Sequence, residues 1–544
     1  MQARPHGLAS KVLHWLLMHR YLVPLLCLSA FAEERYPRKL RTFYSIDDVR
    51  VPAALRQGSA PLPAGDITSI VATPDGATWI GTPHGLIRFL ASAPVADRRQ
   101  YFAGLRYLPD DEVVNLLPDT SGRGVWALTR TGVSHLDLEP VTLEDKAAYF
   151  ERRIRERHDR YGLVAPSHFR EPGKPESNQL HPDDNDGLWT AMYAAAECFR
   201  YSVTGSAEAL AFATKSIEAV LFLEQVTGRP GFPARSYIRK GDWRSPDGEW
   251  HFTADEKYEW KADTSSDDIV GHFFLFGIAY DLLPDAGLKK RIAVTATRIM
   301  DHILDHGLTL TDIDGKPTYW GRWDIEYFES KRGKGDAPLN ALEILSFLKT
   351  AHHITGNARY SSEYKRLALE ARYLEMAGRY AELTEELNYS DEELAMLPFY
   401  LLFRYEKDPR FLEGYRRALS QWWKNIQREK NPLWNYIYMT GEPPATALKK
   451  DAVWTLSRIP MDLIDWRVEN SRRRDIALDQ AVDRFRRPQS VALLPPDERP
   501  VMKWNGNPFR LDGGNGGGSE DDGTFYLLPY WMGRYHGFLP EAGK

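Results

Sequence analysis

The sequence is poor in cysteine, with two in 544 residues, so it is not a disulfide-stapled scaffold. It lacks long apolar runs: no stretch approaches the roughly 18 consecutive apolar residues that read as a membrane-spanning helix. It lacks a basic excess. Its 70 Lys+Arg stand against 75 Asp+Glu, a formal net charge of -5, which argues against a nucleic-acid partner. At 43% hydrophobic and 27% charged, the composition is that of a folded globular chain. What it has in plenty is flat side chains: 16 Trp, 27 Tyr and 23 Phe. Such rings fill cores, and they also stack on the C–H faces of sugars.

The N-terminus reads as an address. Arg4, Lys11 and Arg20 lead into a short apolar stretch, Tyr21–Phe31, and Ala30 and Ala32 stand at the two positions a signal peptidase reads. Residues 1–32 are therefore expected to be a secretory signal, giving a periplasmic or secreted protein with no stable membrane insertion after cleavage. The cleaved chain keeps Cys198 alone, which excludes an internal disulfide.

Residues 33–142 read as a β module. The stretches 66–90 (DITSIVATPDGATWIGTPHGLIRFL) and 111–138 (DEVVNLLPDTSGRGVWALTRTGVSHLDL) share alternating β-branched residues, a Pro-Asp turn, a Trp and Thr-x-x-Gly. Trp79 and Trp126 are 47 residues apart, a spacing typical of propeller blades. The motif resembles the regulator-propeller repeat of sensory ectodomains. Two copies cannot close a propeller, so a two-blade module packed on the rest of the chain is expected, with both Trp in its core.

From 143 to 544 the apolar period becomes helical, in pairs joined by tight turns such as Thr204-Gly205-Ser206 and Thr355-Gly356-Asn357. Six leading helices are expected, at DDNDGLW (183–189), SSDDIVGH (265–272), GDAPLNALE (335–343), NYSDEEL (388–394), KKDAVWTL (449–456) and SEDDGTFYLL (519–528). Each carries Asp near its first turn. Asp is a good N-cap, and that alone explains any one of them. Six in hairpin register would instead gather carboxylates at one mouth of a ring. This arrangement resembles the six-hairpin (α/α)6 toroid shared by many glycoside hydrolases and polysaccharide lyases. The resemblance implies a mainly α fold, a carbohydrate-active enzyme and a glycan substrate.

The chemistry has to come from side chains. Glycoside hydrolysis needs one protonated and one ionised carboxyl group, and crowding separates their pKa values. Asp184, Asp186, Asp267 and Asp268 offer that crowding, with Glu326 on a facing loop. Asp268 and His272 are four residues apart on one helix face, where a carboxylate can orient an imidazole base. Two long loops, 227–265 and 307–336, are rich in sugar-binding residue types: Arg235, Tyr237, Trp260, Trp320, Arg322 and Trp323. Trp189, Asn340, Trp434 and Asn435 stand at or near helix starts that face the same mouth.

Arg235 and Arg322 can clamp a carboxylate or sulfate, which suits an acidic glycan, or pair with Asp263 and Asp324. With His272 and Tyr237 or Tyr258 they also make a set for β-elimination at a uronic acid, with Asn340 and Asn435 as further neutralisers of its carboxylate. Hydrolysis is the first expectation, elimination the second and non-catalytic glycan binding the third. Asp183–Gly187 resembles a calcium loop only faintly: Pro182 occupies the first ligand position and no Glu follows at the needed spacing, so no metal and no cofactor are expected.

Overall fold

The computed structural model describes residues 35–45, 48–52, 67–383, 387–500 and 503–540; the expected signal at 1–32 lies outside the described residues. Eight strands come first: β1 (Tyr36–Tyr44), β2 (Ser69–Ala72), β3 (Thr78–Thr82), β4 (Gly85–Phe89), β5 (Arg99–Phe102), β6 (Val113–Pro118), β7 (Val125–Thr129) and β8 (Val133–Val141). They form two antiparallel four-stranded sheets, ordered β2-β3-β4-β5 and β1-β8-β7-β6.

Each sequence repeat supplies most of one sheet. The N-terminal strand completes the second, pairing with β8 from Tyr36↔Val141 to Tyr44↔Val133. Alternation decides the faces: Trp79, Leu86, Phe102, Leu116, Val125 and Leu136 turn inward and form one shared core. The two repeat tryptophans differ. Trp79 is fully buried, whereas Trp126 is half-buried and stacks on His135 with ring centroids 4.3 Å apart.

The remainder is mainly helical. The elements are α1 (Leu143–Arg157), α2 (Asp186–Thr204), α3 (Ala207–Gln225), α4 (Ser266–Leu282), α5 (Ala286–Asp305), the short α6 (Ile325–Glu329), α7 (Ala337–Thr355) and α8 (Ala358–Lys365). They continue with the short α9 (Tyr373–Ala377) and α10 (Tyr380–Leu383), then α11 (Tyr389–Tyr405), α12 (Pro409–Ile426), α13 (Pro432–Gly441), α14 (Thr446–Arg458) and α15 (Thr524–Tyr535). Helix α2 packs on α4, α4 on α7, α7 on α11, α11 on α13, α13 on α15, and α15 returns to α2. Each of these six has a partner outside that circuit: α3, α5, α8, α12, α14 and α1 in the same order.

Burial follows this layout. Nearly every residue of α2 from Asp186 to Phe199 is buried, all round the helix, whereas α5 buries one stripe: Leu288, Ile292, Thr295, Ala296, Ile299, Met300 and Ile303. One expected start is corrected. KKDAVWTL lies inside α14, an outer helix; the fifth inner helix is α13, which Asn431 caps through its side chain before Pro432.

The 227–265 loop folds into a three-stranded sheet, Ser236–Arg239, Tyr258–Lys261 and Trp250–Phe252 in that order, and 307–336 into a hairpin followed by α6. Between α14 and α15 runs a strap, residues 459–523, with only two-residue strands and single 3-10 turns. It is far longer than an ordinary connection. It is tied to the β module: the Asp497 carboxylate lies 2.6 Å from Lys39 Nζ and 2.8 Å from Arg458 Nη2, and the Tyr101 backbone N–H donates to Glu498 at 3.0 Å.

Candidate active site

Helix starts define the site, and their caps differ: inner α11 and α13 are closed by the side chains of Asn388 and Asn431, while outer α14 has no side-chain cap. The outer helices α1, α3, α5, α8 and α12 have N-caps whose side chains accept a hydrogen bond from the first turn: Thr142, Ser206, Asp285, Asn357 and Asp408. At the inner helices α2, α4 and α7, the caps Asn185, Ser265 and Asp336 make no such bond. The acids at these inner starts are therefore not spent on closing their helices.

Three acids at inner starts, Asp267 of α4, Asp336 before α7 and Asp391 of α11, line a cavity of about 590 Å³. Leu339, Asn340, Tyr389 and Leu394 complete the helical wall. Arg235 and Trp320 enter from the two long loops. The strap contributes Asp483, Arg484, Phe485, Arg487, Asn507 and Arg510.

The carboxylates are held individually. Asn185, at φ +67°, turns its Nδ2 to donate to Asp267 Oδ2 at 2.7 Å, and Ser265 Oγ donates to Asn185 Oδ1 at 2.9 Å. Tyr327 Oη donates to Asp336 Oδ2 at 2.5 Å, and Asn388 Nδ2 to Asp391 Oδ1 at 2.7 Å. Burial, reinforced by the charges of Asp336 and Asp267, pushes the Asp391 carboxyl up to about 7. Burial also raises Asp267, against the opposing pull of Arg235.

Two further carboxyl groups lie behind this wall. Glu393, buried and pushed up to about 8 by desolvation, has no hydrogen-bond partner on Oε1. Glu343 accepts a bond from Trp323 Nε1 at 2.8 Å and is raised well above the usual range by burial.

Among the residues singled out from sequence, Asp267, Arg235, Trp320 and Asn340 meet at this cavity. Others do not. Asp186 is fully buried, in an ion pair with Arg160 and a hydrogen bond with Ser236. Asp268 is also fully buried, and accepts from the Gly187 N–H at 3.2 Å. His272 shares a helix face with Asp268 as expected, but its Nδ1 bonds the Asp268 backbone carbonyl at 2.6 Å rather than the carboxylate. Burial lowers its pKa to about 4, so it is neutral and enclosed.

These three residues pack where α2 and α4 approach closely. A Cβ on Gly271 would stand 2.6 Å from Leu188 Cα, and one on Gly187 2.8 Å from Asp268 Oδ1. Gly271→Ala is expected to destabilise the protein by about 1–3 kcal/mol, read as a lowered denaturant midpoint, because backbone rather than a movable side chain blocks the methyl.

The aromatic and amide candidates divide the same way. Tyr237, Trp260, Trp323, Trp434 and Asn435 are buried; Asn435 Nδ2 donates to the Leu448 carbonyl at 3.0 Å. Trp189 is buried beneath Lys503, whose Nζ lies 4.1 Å from the centre of the indole. Asp184 stands apart from the cavity lining, held by Lys261 at 2.6 Å and Arg235 at 3.4 Å. Arg322 is committed to Asp324 at 2.8 Å, and Glu326 points to solvent. Of the set offered for elimination, Arg235 and Asn340 line the cavity, whereas Arg322, His272, Tyr237, Tyr258 and Asn435 do not.

Sequence reasoning missed Asp336 and Asp391 as individual site residues, although both fall inside the quoted helix starts. It missed the arginines of the strap altogether. Their signal was the length of a segment without helical or strand period.

No protein-family model matches the chain, and no curated protein matches it. Among solved structures it is similar to a family 76 glycoside hydrolase from a bovine Bacteroides thetaiotaomicron strain, at 8% identity over 86% of this chain and 85% of that one, TM-score 0.39. It is similar to a D-mannose isomerase at 10% identity, covering 73% and 97%, TM-score 0.38. A metagenome-derived family 9 endoglucanase gives 12% identity, 93% and 97%, TM-score 0.36. Likeness at these scores identifies neither family nor activity, so the chemistry rests on the side chains. Among the described residues, no cluster of His, Cys, Asp and Glu is arranged to hold a metal ion, and no helix is long and apolar enough to cross a membrane.

Proposed function

We propose that the protein is an exported glycoside hydrolase built on an (α/α)6 toroid, with two propeller-like blades at its N-terminal side. The observation that carries the reading is the convergence of Asp267, Asp336 and Asp391 on one cavity, with uncapped inner helix starts behind the first two and a nearby aromatic, Trp320. The closed circuit of six inner helices supports the toroid.

Asp391, which holds its proton up to about pH 7, is the acid that protonates the leaving glycosidic oxygen. Asp267, beside Arg235 and fixed by Asn185, is the ionised partner that activates water or attacks the anomeric carbon. Their mutual repulsion keeps the two roles apart. Trp320, exposed at the rim, offers a face for a sugar ring.

Turnover is expected to fall as pH rises through about 7, because the proton that Asp391 must donate is then lost. A pH–rate profile on a responsive glycan measures this limb. The reaction class is tested by incubating the purified protein with neutral and acidic polysaccharides. New reducing ends without the ultraviolet absorbance of an unsaturated uronyl product support hydrolysis. Reducing ends with that absorbance make the protein a lyase and overturn the assignment. No product from any glycan that binds makes it a non-catalytic glycan receptor.

A further inference from the structure

The proposed active site sets four arginines against four acids, Asp267, Asp336, Asp391 and Asp483, yet not every arginine is paired. Four arginines line the cavity: Arg235, Arg484, Arg487 and Arg510. Two are engaged. Arg487 is paired with Asp483 at 2.7 Å, and Arg235 lies 3.4 Å from Asp184 with Nη1 donating to the Asp263 carbonyl at 3.2 Å. Neither Arg484 nor Arg510 has a carboxylate partner within ion-pair distance among the described residues.

Arg484 is exposed and lies over the ring of Phe485, 5.2 Å from its centre. Arg510 is half-buried, and its Nε–H is enclosed without an acceptor. A guanidinium N–H shut away from water with nothing to bond is costly, and a ligand oxygen would relieve it here, as it would the Nε–H of Arg235 in the same cavity. Burial and the charge of Arg487 disfavour the Arg510 cation, against the opposing pull of Asp465, Asp483 and Asp512, none of which is within ion-pair distance.

The sides of the cavity differ in kind. The helix starts bring Asp267, Asp336 and Asp391; the strap brings Arg484, Arg487 and Arg510. A neutral sugar can accept single hydrogen bonds from the second group but brings no charge to match it. A pyranose carrying an anionic substituent does, since a carboxylate or sulfate offers the two parallel acceptors that a guanidinium fork matches.

We infer that the substrate is an anionic glycan, whose carboxylate or sulfate ester is bound by Arg510 and Arg484 of the strap while the glycosidic bond faces Asp391 and Asp267. This rests on the glycan-cleaving reading of the same cavity. The strap is then the specificity-determining element, and its arginines recognise the substituent without touching the reacting atoms.

The test uses the full-length protein carrying Asp391→Asn, so that binding is measured without turnover. Three ligands of matched length are titrated calorimetrically: a uronic-acid oligosaccharide, the same oligosaccharide after carboxyl reduction, and a sulfated neutral oligosaccharide. The expected result is that at least one anionic ligand binds about tenfold or more tightly than the carboxyl-reduced one, the loss typical of removing one charge-assisted bond. Which anionic ligand prevails identifies the substituent. Adding Arg510→Gln or Arg484→Gln should shrink the preference while the binding of the neutral ligand and the melting temperature stay unchanged. Arg484→Gln, at an exposed side chain, keeps the test valid if Arg510→Gln fails to fold.

Equal binding of all three ligands overturns the inference, and so does a preference that survives both substitutions. The two readings fail separately. Turnover of neutral glycans by the wild-type chain, with no anionic preference, removes this inference and leaves the hydrolase. Tight, arginine-dependent binding of an anionic glycan that the wild-type chain never cleaves removes the hydrolase and leaves this inference.

Discussion

Asp391→Asn is expected to lower glycan turnover by about 100- to 10,000-fold, the usual worth of a positioned general acid. Asn keeps the shape and the bond that Asn388 donates, but it has no proton to give. Binding should change little, so the loss appears in kcat rather than KM. The residual rate should also lose its descending limb near pH 7.

A second signature separates this from damage to the fold. The native carboxyl titrates near 7 and an unfolded one near 4, so the wild-type chain loses stability as pH rises between those values, and the loss is complete above 7. Asp391→Asn removes that loss. The variant should therefore melt higher than wild type at pH 8 and no differently at pH 4. Unchanged kcat would take the acid role away from Asp391. A variant less stable than wild type at pH 8 would mean that Asp391 is a structural anchor.

Asp497→Ala is expected to cost about 3–5 kcal/mol, because it strands buried charges instead of deleting a pair. Asp497 lies between Lys39 of β1 and Arg458 at the end of α14, and all three side chains are at most 5% exposed. Arg458 also reaches Asp97 at 2.6 Å and Glu498 at 3.4 Å, so one deletion disturbs both sheets, the last outer helix and the strap. Those opposite charges hold the Asp497 carboxyl far below the usual carboxylate range, so its support persists until strong acid protonates it.

Denaturant titration followed by tryptophan fluorescence measures the loss, with Glu256→Gln as control. Glu256 pairs with Lys240 on an open surface and should leave the midpoint unchanged. A shift for Asp497→Ala no larger than that of the control would show that the network contributes nothing. Its activity should fall as well, since the strap that Asp497 anchors also lines the cavity.

Much of the fold was legible in the sequence, because period and turn chemistry report directly on burial. The repeat in 66–138 yielded the central strands of both sheets, and the connectors at Gly205 and Gly356 are left-handed helix ends at φ +66° and +68°. What the repeat could not reveal was that β1, some ninety residues before β8, completes the second sheet, since strand pairing leaves no mark in local pattern.

The site was legible by class more than by member. Of the clustered acids at helix starts, Asp267 lines the proposed cavity, yet Asp186, Asp268 and His272 turned inward. Period alone does not say which of two adjacent residues, Asp267 or Asp268, faces the cavity when the helix is buried on every side. The start assigned to KKDAVWTL failed for a related reason: Asp451 on an outer helix looks the same in sequence as an acid on an inner one.

The circuit of helices also sets an order in time. Its last member, α15, packs on α2, and Tyr526 Oη donates to the Leu143 carbonyl across 383 residues. During synthesis α1 and α2 are made long before α15, the partner that closes the circuit. Until then the faces of α1 and α2 that α15 covers stay open, and a contact so distant along the chain is slow to form. A nascent chain stopped short of Thr524 should thus be sticky and protease-sensitive over α1 and α2, and α15 works as the latch that closes the circuit.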